Sequence, residues 1–135
     1  MTKQEWTELK TFIARYFVNT KSLLDLDEDI FTTLNAMAYW SVDARRRSME
    51  MEDCIKYFEG ELKKWNTLEE ATESLKDTTY SIPIWNRLVI DLLRRFIWLK
   101  DKDDERKEKM KANRKQEEKE LQADVSNFIQ EVNGR

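Results

Sequence analysis

Asn86–Glu120 reads NRLVIDLLRRFIWLKDKDDERKEKMKANRKQEEKE, and its two halves have opposite chemistry. The stretch is apolar on most sides up to Leu99, then charged at nearly every position from Lys100 onward. Neither Gly nor Pro separates the halves, so the pattern predicts one continuous helix that passes from a covered environment into water.

In the first half, between Ile84 and Leu99, Arg87, Asp91, Arg94 and Arg95 form one narrow polar stripe, each three or four residues from the next. Asp91 is within reach of Arg87 behind it and Arg95 ahead, at a few tenths of a kcal/mol per pair. The run is too short, and its charges too central, for a membrane span. A helix apolar on most sides has to be covered, either as the central helix of its own domain or as a surface shared with another chain. Trp98 continues the polar stripe, where a large ring would otherwise face water, and this favours the shared surface.

In the second half the signs are mixed almost evenly, which favours helix over a self-repelling tail. Asp103 with Lys107, and Glu105 with Lys109, are pairs in the favourable orientation. Leu99, Met110, Leu121 and Val132 recur every eleven residues, about three turns, and so lie nearly in line on a straight helix. Val125, Phe128 and Ile129 thicken that line. Two readings stay open: a freely solvated rod, or a thin seam for an antiparallel or symmetric helix partner. The division expected is a helical body over residues 1–99 and a charged helical extension over 100–135, continuous with the last body helix.

Upstream, Thr2 and Glu5 have capping-box spacing, and Trp6, Leu9, Ile13, Tyr16 and Phe17 share a helix face with Phe12 beside them; this helix should end near Asn19. Asp25, Asp27 and Asp29 have the spacing that opens a calcium loop. However, Ile30 stands where the sharp-turn Gly belongs and Ala36 where the bidentate Glu belongs. A capped helix start, with acids favoured by the dipole, is the better reading. From Ile30, alternate steps of four and three run through Leu34, Met37, Ser41, Ala44, Ser48, Met51, Ile55, Phe58, Leu62 and Trp65 without a break. That predicts either one helix of about 57 Å or two bent near Ser48, which could cap the second. The small residues at the centre would let another helix cross closely. Arg45, Arg46 and Arg47 flank that centre, as a solvated face or as a contact for phosphate or a partner's carboxylates. Thr67 and Glu70 open a short helix with Leu68, Ala71 and Leu75 on its inner side. DTTYSIP at 77–83 is a loop, and Pro83 starts the final helix.

Composition narrows the function. At 135 residues the chain is normally one domain, burying roughly 68% of its unfolded surface. It has no His, one Cys (Cys54), one Pro (Pro83) and two Gly (Gly60, Gly134). So few turn-makers, with 38% charged residues, exclude a hairpin-rich β-fold and predict an all-α helical bundle. Without His there is no Ser-His-Asp or Cys-His pairing, and no four-ligand structural zinc site. No glycine-rich loop exists to cradle a phosphate. No catalytic residue, metal or cofactor is expected, and one Cys makes no internal disulfide. MTKQEWTELK is polar and opens a helix rather than a signal peptide, so the expected location is cytoplasmic.

The leading expectation is therefore a non-catalytic interaction or assembly protein, first of all a homo-oligomer, docking through Trp85, Phe96, Trp98, Met110, Leu121 and Phe128. A small, acidic, tryptophan-rich helical protein of this kind suits a phage or mobile-element accessory factor that binds a host protein. A second expectation is a nucleic-acid-associated regulator using Arg45–Arg47, Arg94–Arg95 and Arg114–Lys115. A net charge of −3, with bases alternating with acids, disfavours it. A third is an enzyme. Glu69, Glu70 and Glu73 resemble the Glu-Glu-x-x-Glu element with which all-helical nucleotide pyrophosphatases of the MazG and dimeric dUTPase type hold magnesium. Asp101 with Asp104 approximates their second element, with Asp in place of Glu and within the charged segment.

Overall fold

Helix ends are the main problem for a chain with two glycines, because the last carbonyls of each helix need donors that a left-handed Gly cap usually arranges. The computed structural model describes residues 1–40, 50–76 and 83–133, with side chains described through residue 125. It is all-α: α1 Lys3–Asn19, α2 Glu28–Tyr39, α3 Met51–Lys64, α4 Leu68–Lys76 and α5 Pro83–Asn133, with a short 3-10 turn at Leu23–Asp25. No strand occurs among the described residues, and none of them has positive φ. The chain divides into two units, Met1–Lys100 and Asp101–Arg135.

In the first unit, the helix ends are held by side chains of other helices. Trp6, fully buried on α1, donates its indole N–H to the Trp65 carbonyl at the end of α3 (2.9 Å), and Lys10 Nζ reaches the same oxygen at 3.0 Å. Asn86 on α5 donates to the Leu75 carbonyl in the last turn of α4 at 2.8 Å. At the start of α2, the Asp27 N–H donates to the Tyr16 hydroxyl (2.7 Å), while the Asp27 carboxylate accepts from the N–H groups of Asp29 and Ile30. Each long-range bond satisfies an otherwise orphaned backbone group and also fixes one helix against another.

Local signals place the remaining ends. The Thr2–Glu5 capping box forms in both directions at 3.1 Å, and α1 ends at Asn19 as expected, with the Thr20 hydroxyl returning to the Tyr16 carbonyl. At α4 the box is displaced by one residue: Thr67 Oγ1 caps Glu70 N–H, but the Glu70 carboxylate reaches back to Asn66 N–H. The unbroken register from Ile30 to Trp65 belongs to two helices, not one. α2 stops at Tyr39, and Glu50, with an extended backbone, precedes α3 without a side-chain cap bond. Ser41, Ala44 and Ser48 lie outside the described residues, as do residues 77–82, where a loop is expected from the sequence.

The core draws on all five helices. Trp6, Leu9 and Ile13 of α1, Ile30, Leu34 and Met37 of α2, Cys54 and Phe58 of α3, Ala71 of α4 and Leu92 of α5 are all fully buried. Phe96 of α5 sits among three rings: Tyr16 and Phe17 edge-on at 5.3 and 5.4 Å, and Phe58 stacked at 6.1 Å. Such edge and offset contacts add to the area these rings already bury.

Candidate interaction surface

The apolar half of α5 is covered chiefly by its own unit. Trp85, Val89, Leu92, Leu93 and Phe96 are buried, and Leu88, Ile90, Ile97 and Leu99 pack partly buried against them; only Ile84 and Trp98 among its large apolar side chains are exposed. Trp85 and Phe96, expected at a partner surface, are thus core residues of the chain itself. Four other helices supply enough apolar surface to enclose them, which the sequence of α5 alone could not show. Trp85 also meets the Tyr57 ring edge-on at 5.4 Å.

The polar stripe is used differently from its local spacing. Asp91 meets Arg94 at 3.8 Å, whereas Arg95 turns to the start of α2. There its Nε and Nη2 hold both oxygens of Asp27 at 2.9 and 2.8 Å, and its Nη1 meets Asp29 at 3.1 Å. This bidentate fork is geometrically specific and stronger than a single surface pair. Arg95 bonding and the amides of Ile30 and Asp29 hold the Asp27 carboxyl below its ordinary value, against a smaller opposing effect of burial. The same guanidinium lies 4.2 Å over the Trp98 ring. Trp98, 46% exposed, is therefore a stacking platform for Arg95 as well as an open surface. Trp98→Ala should lower stability by less than about 1 kcal/mol in urea denaturation; a loss several times larger would mark the ring as a structural member.

The second unit is a different surface. From residue 101 to 125 every residue is exposed except Asp103, which is half-buried beneath Arg106 (2.7 Å) and Lys107 (3.1 Å). Those two cations hold the Asp103 carboxyl below its ordinary value, Lys107 contributing most. The Asp103–Lys107 pair forms as its spacing predicts, whereas Glu105 turns back to Lys102 at 3.5 Å instead of reaching Lys109. Met110, Leu121 and Val125 are exposed at 52%, 65% and 50%. Met110 and Leu121 lie along one side of the helix with Val125 beside them. The side chain of Phe128 lies outside the described residues.

The other candidate residues separate by position. Arg45, Arg46 and Arg47 lie outside the described residues. Arg95 is engaged by carboxylates, while Arg114 and Lys115 are exposed in the second unit. Glu69, Glu70 and Glu73 lie on α4, with Glu70 occupied in capping and Glu73 3.5 Å from Lys76, and Asp101 and Asp104 belong to the second unit. Among the described residues no group of three or more Cys, Asp or Glu side chains is gathered as a metal site requires. Cys54 is buried, and desolvation with the nearby Asp53 charge pushes its thiol up to about 11, so it is protonated and a poor nucleophile near neutral pH. An open groove of about 360 Å³ between α1 and α3 is walled by Phe17, Val18, Leu23 and Ile55 together with Lys56 and Glu59. No described helix is long and apolar enough to cross a membrane.

The inter-helix ties Trp6–Trp65, Asn86–Leu75 and Arg95–Asp27 carry no local signature. For Asn86 the one signal that could have pointed to a buried acceptor is its place as a lone amide among apolar neighbours in the first turns of α5. No family model matches this chain, and no curated protein and no solved structure matches it either.

Proposed function

We propose that this is a non-catalytic assembly protein whose exposed charged helix pairs with another helix, self-association being its first expression. The observation that supports it is the run of exposed residues over 101–125, carrying Met110, Leu121 and Val125 along one side. Helices in folded proteins draw most of their stability from packing of an apolar stripe, and this one has such a stripe with its large apolar members exposed. Its own ion pairs contribute only a few tenths of a kcal/mol each.

The stripe is thin, which sets the strength. Covering four large apolar side chains, two from each of two helices, gains about 6–12 kcal/mol gross. Association itself costs about 4–15 kcal/mol, so the net is at best about −8 kcal/mol and pairing is expected no tighter than the micromolar range. A weak, reversible assembly fits a regulator or adaptor rather than an obligate oligomer. The proposal includes a cytoplasmic location, where a single thiol such as Cys54 stays reduced.

Sedimentation velocity across about 1–100 µM should show a concentration-dependent rise from monomer to dimer. Met110→Glu with Leu121→Glu should return the chain to monomer at every concentration, with unchanged helicity of the body. A wild-type chain that stays monomeric throughout sinks the proposal.

A further inference from the structure

We infer that the helix over residues 101–125 pairs with a second copy of itself, antiparallel, about a two-fold axis passing between Lys115 and Gln116. This rests on the assembly reading above and names its partner and register.

Alternate steps of four and three along the exposed helix select one face: Asp103, Lys107, Met110, Arg114, Glu117, Leu121 and Asp124. Across a two-fold axis, each residue meets the one equally far beyond the axis, so every contact occurs twice. About the axis named, Met110 meets Leu121, Arg114 meets Glu117, and Lys107 meets Asp124. The apolar pair coincides and both charged pairs are opposite in sign. On the flank, Lys111 comes beside Glu118, again opposite. No two like charges face each other along this seam; Asp103, the remaining member of the face, falls opposite position 128, beyond the described side chains.

Other arrangements fail on the same residues. A parallel pair in register sets Asp103, Lys107, Arg114, Glu117 and Asp124 each against its own copy, five like-charge contacts. Sliding the antiparallel pair by one heptad sets Leu121 against Asp103 in one direction and against Glu117 in the other. Either slide also separates Met110 from Leu121, so the two exposed apolar side chains of the face no longer coincide. One existing contact must be exchanged: Lys107, now 3.1 Å from Asp103, passes to Asp124 of the second copy. Lys107 remains largely solvated, so the exchange takes place in water between equivalent carboxylates.

The test uses the full chain. In the double variant Met110→Cys/Leu121→Cys, mild oxidation should give a disulfide-linked dimer on a non-reducing gel. Each single variant should give none, because its two thiols would sit eleven residues apart along the pair, about 16 Å. Buried Cys54 can stay in place. Arg114→Glu should weaken self-association by at least about tenfold, and Arg114→Glu/Glu117→Arg, which restores opposite signs across the axis, should recover it. All four positions are exposed, so none of these changes touches the core. Self-association with efficient cross-linking in the single variants, or one indifferent to Arg114→Glu, overturns the antiparallel register and leaves the assembly reading standing. A chain that stays monomeric at about 100 µM overturns both.

Discussion

Phe96→Ala is expected to destabilise the body by about 3–5 kcal/mol and to lower its melting temperature by roughly 15 °C or more. Phe96 is fully buried and touches the Tyr16, Phe17 and Phe58 rings, which come from α1 and α3. Truncation removes the ring that joins three helices and leaves a cavity that rigid neighbours fill only in part. Total stability of a domain this size is about 5–15 kcal/mol, so the loss is a large share of it. Differential scanning calorimetry or urea denaturation measures it. Were Phe96 a docking residue, the same substitution would leave unfolding unchanged and weaken self-association alone; that result would remove Phe96 from the core.

Asp27→Ala is expected to be next in size, at about 2–3 kcal/mol. Asp27 caps α2 and also receives the Arg95 fork. Loss of the cap accounts for about 1 kcal/mol. The remainder comes from leaving Arg95 with only the exposed Asp29 as partner. It is smaller than for a fully buried pair because both side chains keep about a fifth to a quarter of their exposure. Arg95→Met should lose part of the same energy, and the double variant should lose less than the sum of the two.

The pH dependence has a definite sign. The folded Asp27 carboxyl is held below its ordinary value, chiefly by Arg95. Its stabilising effect is therefore complete above the unfolded value of about 4 and disappears as pH falls through the lower folded value. Unfolding measured from neutral pH down through pH 4 should show wild type losing stability more steeply than Asp27→Asn at the acid end. Parallel curves would mean that the fork does not perturb this carboxyl.

The α1 cap at Thr2 and Glu5, the acidic start of α2, the Pro83 start of α5 and the change of chemistry at Leu99 were legible because each depends on residues within one or two turns. Trp85 and Phe96 were misplaced for the opposite reason. Their apolar character was clear, but what covers it comes from helices far along the chain. The Ile30–Trp65 register ran unbroken through a boundary because periodicity reports which side a residue faces, not whether the backbone continues. The place of Trp98 on the polar stripe was legible from spacing, whereas Arg95, which stacks on that ring, was expected to pair with Asp91 one turn away and instead pairs with Asp27 across the fold.

By itself, the sequence determined an all-α chain, the spacing of its apolar faces, the start of its last helix and the charged character of the segment after Leu99. All of these follow from propensity and periodicity, which act over a few residues. Only the tertiary structure decided which apolar side chains are core and which stay exposed. It alone paired Arg95 with Asp27, Trp6 with the end of α3 and Asn86 with the end of α4. Those bonds join residues 68, 59 and 11 positions apart. A buried backbone group takes whichever donor the packing of helices brings within reach, and that choice is made in space rather than along the chain.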